Sequence, residues 1–163
     1  MLLRCYDEAH RKKFPTYIGV ACVDEWHDLT NFKSWFDVSN YRDGYHLDKD
    51  ILVSGNKLYS PETCCFVPPR INTLLIKRDS DRGACKLGVY FHEGAGKYVA
   101  QLSDGSRGRI YLGSFETEQE AFAEYKSAKE KMVKELAHAY YDRGEIDQKV
   151  FVALGRYEVS EHG

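Results

Sequence analysis

The chain has little of what disordered and fibrous proteins are made of. It carries only 4 prolines and 13 glycines in 163 residues, and no segment repeats at a fixed period, which excludes a linker, a collagen-like rod and a low-complexity tail. Long apolar runs are also missing. Stretches such as Cys64 to Pro69 and Leu74 to Ile76 fall far short of the ~18 residues needed to span a bilayer. At the start, Leu2-Leu3 meets Arg4 too soon for a secretory signal. There is no CxxC pair. The five cysteines (Cys5, Cys22, Cys64, Cys65, Cys85) are odd in number, so they suit buried thiols in a reducing cytosol better than a disulfide scaffold. A zinc site from Cys5, Cys22, Cys64 and a histidine is the alternative, although the spacings match no familiar zinc pattern. Finally, neither sign of charge is in excess. With 23 basic and 25 acidic side chains the net charge is -2, which argues against nucleic-acid binding by bulk positive charge.

What is present describes a compact soluble chain of the cytoplasm. Hydrophobic residues make up 43% and aromatics 13%, and a chain of this length buries roughly 70% of its unfolded surface. The near-neutral total conceals an uneven distribution. Arg70 to Phe115 holds 8 basic against 4 acidic residues, and Glu116 onward holds 7 against 11. A basic region therefore precedes an acidic helical one.

The polar run Lys77-Arg78-Asp79-Ser80-Asp81-Arg82-Gly83 reads as a linker between modules. It divides the chain into residues 1–78, 84–143 and a C-terminal extension, 144–163. The fold class is α+β: a ββα module followed by a three-stranded antiparallel sheet packed on a long helix. In the first module Leu2 to Lys13 reads as a helix and Tyr17 to Cys22 as a strand. Asn31 to Asn40 reads as a helix with Phe32, Trp35 and Phe36 as core. His46 to Asp50 is extended, Gly55-Asn56 is a loop, and Cys64 to Val67 is a second strand stopped by Pro68-Pro69. These prolines also suit the first turn of a helix over Arg70 to Ile76. In the second module Lys86 to His92, Lys97 to Ser103 and Arg109 to Gly113 alternate, with glycine-containing turns between them. Thr117 and Glu120 form a capping-box pattern opening a helix that Gly144 stops, and Asp147 caps a short last helix.

Alternation places Lys86, Tyr90, His92, Lys97, Gln101, Arg109 and Tyr111 on the face of the sheet away from the helix. A face of this composition can enter a major groove, where arginine reads guanine, glutamine reads adenine and tyrosine packs on thymine methyls or sugars. By composition alone it is equally an ordinary solvated face. Gly88-Val89, Gly96-Lys97-Tyr98-Val99-Ala100 and Tyr111-Leu112-Gly113-Ser114-Phe115, followed by Thr117, Glu120-Ala121 and Tyr125, closely resemble the DNA-binding domain of the apetala and ethylene-response-factor (ERF) type over about 55 residues. The resemblance implies a sheet that binds double-stranded DNA. Its contact positions fall on Leu87, Tyr90, His92, Gln101, Ser103, Arg109 and Tyr111, with Lys97 alongside. Leu87, Tyr90, His92 and Ser103 stand where the family has arginines, and Tyr111 where it has tryptophan. Strict alternation turns Leu87 inward.

The outline of the first module, strand, loop, strand, helix, is one on which one-metal nucleases set a histidine base and a cation. His46-Leu47-Asp48-Lys49-Asp50, Gly55-Asn56, Tyr59-Ser60-Pro61-Glu62-Thr63-Cys64 and Asn72 occupy its elements. With Arg4-Cys5-Tyr6 and Cys22, Glu25-Trp26, they resemble the HNH endonucleases of bacteriophages and mobile elements, above all phage proteins that join such a module to an ERF-type domain. The resemblance implies Mg2+ held by Asp48 and Asn72, and a location in the bacterial host cell. The chain departs from that pattern at the chemistry. Lys49 stands where active members have histidine, and Tyr59, Ser60 and Thr63 where they have asparagines. An ordinary lysine, with a pKa of about 10.4, is a poor base at neutral pH. His46 is the replacement base if there is one, although His46 beside Asp48 also reads as a plain surface pair, and Asp48 and Asp50 as a solvated turn. Lys49, Lys57 and Arg70 are the candidate phosphate contacts of this module.

Three functions follow as expectations: a double-stranded DNA-binding protein of phage HNH/ERF type, a metal-dependent nicking endonuclease, and a phage protein that binds a host protein on a repurposed scaffold. No membrane partner is expected.

Overall fold

The computed structural model describes residues 1–76, 85–106 and 108–160. The expected linker, Lys77 to Gly83, lies outside the described residues. The chain is mixed α+β, with a three-stranded antiparallel sheet packed on a long helix, as the alternation predicts.

The N-terminal segment is not one helix. α1 (Leu2–Tyr6) ends at Asp7, whose carboxylate accepts from the backbone N–H of His10 at 2.6 Å and starts α2 (Glu8–Lys13). An aspartate that caps a new turn ends the old one, because its extended backbone cannot also continue the helix. The expected strand over Tyr17 to Cys22 shrinks to β1 (Ala21–Cys22), since Pro15–Tyr17 forms a 3-10 turn. α3 (Leu29–Asp37) is capped by Asp28. β2 (His46–Asp48) pairs antiparallel with β4 (Cys65–Val67), His46 opposite Val67 and Asp48 opposite Cys65. Between them β3 (Leu58–Tyr59) pairs parallel with β1. α4 (Pro69–Leu75) follows β4 directly, its first turn set by the proline.

β5 (Val89–His92), β6 (Lys97–Ser103) and β7 (Arg109–Phe115) form the antiparallel meander in the order β5-β6-β7. Below it lies α5 (Glu118–Asp142), opened by the full Thr117/Glu120 capping box. Such a box satisfies two orphan N–H groups, and the cap contributes about 1 kcal/mol. α6 (Gln148–Gly155) is capped by Asp147, whose carboxylate accepts from Val150 N at 2.9 Å.

Three apolar clusters hold these elements. Cys5, Val20, Cys22, Trp26, Tyr59 and Cys64 form the first, with Phe32 and Trp35 against it. A second joins Cys65, Val67, Ile71 and Leu74 to Val133 and Ala137 of α5 and to Ile146, Val150 and Leu154. The third packs Ala100 and Leu102 of the sheet on Ala121, Phe122 and Tyr125 of α5, with Val159. The segment after α5 thus contributes to two clusters, and α5 runs beneath both the sheet and the ββα unit.

Candidate nucleic-acid interface

The outer face of the meander is set by register. Val89 pairs with Ala100 and Phe91 with Tyr98, so these point to α5, while Tyr90 opposite Val99 and His92 opposite Lys97 point away. On β7 the register slips between Ala100 and Gln101. Ala100 faces Gly113, yet Gln101 faces Tyr111, which leaves Leu112 as the extra residue of a β-bulge. Bulges re-aim side chains, and here the consequence is specific. Without the slip Tyr111 would point at the helix; with it, Tyr111 and Arg109 share the outer face with Gln101 and Ser103, and Leu112 packs inward. The bulge rests on Gly113. Its φ of 148° is unfavourable for other residues, and a Cβ there would stand 3.0 Å from the Phe115 ring.

Tyr111 is 66% exposed, and its hydroxyl shares a hydrogen bond with Ser114 Oγ at 2.9 Å. Tyr90 and Arg109 are exposed. Neither Arg109 nor the Gln101 amide has a side-chain partner among the described residues. Val99 lies at the centre of this face yet is only 4% exposed. Lys97 is paired with Glu116 at 2.9 Å, and that carboxylate raises the Lys97 pKa. His92 Nδ1 accepts from Ala95 N at 3.1 Å, and Ser103 Oγ from Gly105 N at 3.3 Å, so both also shape turns. Lys86 is not on this face. Its backbone N–H donates to Glu118 and its ammonium to Gln119 Oε1, 5.1 Å from the Phe122 ring centroid. It precedes the strand, where alternation no longer governs direction. Leu87 packs inward as strict alternation requires. Ser114 is a member of the outer face that the strand pattern misses, because it lies beyond the bulge.

The ββα unit borders an open cleft of about 1360 Å³, and His46, Asp48 and Asn72 all line it. Asn72 Nδ2 donates to His46 Nδ1 at 3.1 Å. In this amide orientation the ring proton sits on Nε2; turning the Asn72 amide over reverses both roles and leaves Nε2 as the acceptor. Asp48 Oδ1 accepts from the backbone N–H groups of Asp50 (2.7 Å) and Ile51 (2.8 Å), which makes it the organiser of the turn after β2. Burial raises the Asp48 pKa, and the two N–H bonds oppose that shift. Lys49 is only 7% exposed. Its ammonium donates to both Asp50 oxygens at 2.8 Å and to the Asn56 carbonyl at 2.6 Å. Asn56 answers by donating to the Lys49 carbonyl at 2.9 Å, closing the loop. Ser60 and Thr63 bond one another at 3.1 Å, and Tyr59 is buried.

The remaining basic candidates are dispersed. Lys57 donates to the Thr16 carbonyl at 3.0 Å and Arg70 to the Asp104 carbonyl at 3.2 Å, the latter joining α4 to the β6–β7 turn. The cleft mixes cations (Arg4, Lys149, Arg156) with carboxylates (Asp48, Asp50, Glu62, Glu158), so it presents no field of one sign.

Asp48 Oδ2 and the Asn72 amide oxygen carry no hydrogen bond among the described residues, so both remain for a divalent cation, which is commonly held by one or two such oxygens with water completing its shell. No three His, Cys, Asp or Glu side chains converge among the described residues. Asp48 and Asn72 are thus the residues that would hold the Mg2+ that the HNH resemblance implies, in a cleft open to solvent. Burial pushes the thiols of Cys22 to about 11 and Cys64 to about 12, so they stay protonated at neutral pH. Among the described residues no helix is long and apolar enough to cross a membrane. Comparison of the chain with protein-family models, curated proteins and solved structures finds no match.

Proposed function

We propose that the chain is a double-stranded DNA-binding protein that engages duplex through the outer face of the β5–β6–β7 sheet, and that its ββα unit is a non-cleaving relative of the HNH scaffold. The observation that carries this reading is the bulge at Ala100/Gln101, which sets Arg109, Tyr111 and Gln101 on one solvent face with the Arg109 guanidinium unpaired among the described residues. A glycine-dependent irregularity that sets a tyrosine and an arginine on the solvent face serves recognition better than packing. The basic region from Arg70 to Phe115 supplies modest attraction to phosphate. On the ββα side, support comes from Lys49, which stands where active members have histidine and whose ammonium is tied into its own loop by Asp50 and the Asn56 carbonyl. Mobility-shift titration is expected to show salt-sensitive binding that Arg109→Ala weakens by about 1–3 kcal/mol. Unchanged affinity in that variant would remove the sheet from the interface. Supercoiled plasmid incubated with Mg2+, Mn2+ or EDTA is expected to stay intact in all three. Metal-dependent nicking abolished by Asp48→Ala would establish an endonuclease instead.

A further inference from the structure

The outer face carries its polar and apolar groups in a fixed order, and that order specifies a base sequence. We propose that β6 and β7 enter the major groove as a two-stranded ribbon and select duplexes with a guanine two base-pair steps from an A·T pair, the thymine methyl of that pair being a required contact; this rests on the DNA-binding reading above.

The order follows from register. Arg109 lies opposite Ser103, and Tyr111 opposite Gln101, two residues back along β6. Two residues of antiparallel strand advance about 7 Å, which matches two base-pair steps of about 3.4 Å each. Arg109 is unpaired among the described residues and exposed, so its fork is available to guanine O6 and N7. The Gln101 amide has no side-chain partner among the described residues either, and its chemistry is that of the adenine N6/N7 reader. Tyr111 stands directly across from it. Residues so placed have Cβ atoms about 5 Å apart, close enough to address one base pair. Because the Tyr111 hydroxyl is tied to Ser114, what the side chain offers is its ring. Tyr90, 40% exposed, continues the apolar strip on the next rung, over the buried Val99. An apolar strip beside an adenine reader fits the methyl of the paired thymine. Lys97 is held by Glu116 at the far end, so charge adds little there to sequence-independent grip.

The test is selection of bound duplexes from a random-sequence pool by the full chain, followed by anisotropy titration of a selected duplex. Selected sequences are expected to share the guanine and the A·T pair at that spacing. Deoxyuridine in place of the thymine deletes one methyl and is expected to weaken binding by about 4-fold. Arg109→Lys keeps the charge and loses the fork, so the preference for guanine should fall by roughly 5- to 150-fold while the salt dependence stays the same. Salt-sensitive binding with no sequence enrichment, or equal affinity for thymine and deoxyuridine duplexes, overturns the base assignment and leaves the DNA-binding reading standing. Failure of every duplex to bind at low salt overturns both.

Discussion

Lys49 and Lys129 are both buried lysines, but the chain handles their charges differently. Lys49 is met by a carboxylate and a carbonyl, and so its ammonium closes the loop between Asp50 and Asn56. Asp50 is half-exposed and is met by water when Lys49 is removed, so the cost is that of the lost bonds, the Asn56 carbonyl left without its donor, and the lost packing of the buried lysine stem. Lys49→Ala is therefore expected to destabilise the chain by about 1–2 kcal/mol in urea unfolding while leaving the affinity of the folded protein for duplex unchanged. Weakened binding with unchanged stability would mark Lys49 as a phosphate contact. Among the described residues Lys129 has no carboxylate beside it. Only 6% exposed, it donates to the Leu74 carbonyl at the end of α4, and burial lowers its pKa to about 8. In the unfolded chain the group titrates near 10.5. Below pH 8 it is protonated in both states and its burial cost is fully felt. Between pH 8 and 10.5 the folded protein sheds the proton first, so the Lys129 contribution to stability rises with pH, by roughly 3 kcal/mol across that window. Cys22 and Cys64 act in the opposite sense above pH 9, because burial disfavours their thiolates. The difference in unfolding free energy between wild type and Lys129→Met isolates the lysine: it should grow in favour of wild type from pH 8 to 10. A difference that is flat with pH would mean Lys129 is not deprotonated in the fold.

At the scale of elements, the sheet and α5 meet with almost no tolerance at one point. A Cβ on Gly88 would lie 2.1 Å from Tyr125 Cδ2, and the residue has a φ of +74°. Tyr125 is buried among Ala100, Leu102 and Phe122 and cannot retreat without opening that cluster. Gly88→Ala combines overpacking with left-handed strain, and a loss of about 2–4 kcal/mol is expected in thermal or urea unfolding; a loss below 1 kcal/mol would show that the first strand is not held against the helix. The same elements mark what the sequence conveys. β6, the capping box of α5 and the start of α4 after Pro68-Pro69 are legible because each depends on neighbours within a few residues. The break at Asp7 depends on one side chain choosing between two helices, which periodicity does not weigh. The parallel pairing of β1 with β3 joins two strands of two residues across more than thirty positions, too short for any pattern. Alternation assigns Tyr111 correctly to the outer face, and the register slip beside Gly113 is what keeps it there. It assigns Lys86 wrongly, because that residue precedes the strand. In the cleft, the grouping of His46, Asp48 and Asn72 is legible from the ββα outline. The hydrogen bonds that occupy them are not, because they come from backbone N–H groups and an amide orientation set only by folding.

For the molecule as a whole, the question is whether the two halves unfold together. The cluster around Val67, Ile71 and Leu74 is completed by Val133 and Ala137 of α5 and by Val150 and Leu154 of α6. The sheet is completed by α5 as well, with Val159 beyond α6. The ββα cluster and the sheet each lose buried surface without the shared helix, the N-terminal cluster meets the ββα cluster at the adjacent Cys64 and Cys65, and the Arg70 bond to the Asp104 carbonyl joins the sheet turn to α4 at the rim. Physical continuity of the core implies one cooperative transition. The chain provides separate reporters for its ends. Both tryptophans, Trp26 and Trp35, sit in the N-terminal cluster with ring centroids 4.6 Å apart, whereas α5, with 25 residues, dominates the helical signal. Tryptophan fluorescence and far-UV circular dichroism are expected to give coincident urea midpoints. Val150→Ala removes two methyl groups from a fully buried site on α6 and should move both curves together, by roughly 2 kcal/mol. If the helical signal shifts and the tryptophan signal does not, the N-terminal cluster is an independent unit. In that case the contacts along α5 do not couple the cleft to the DNA-facing sheet.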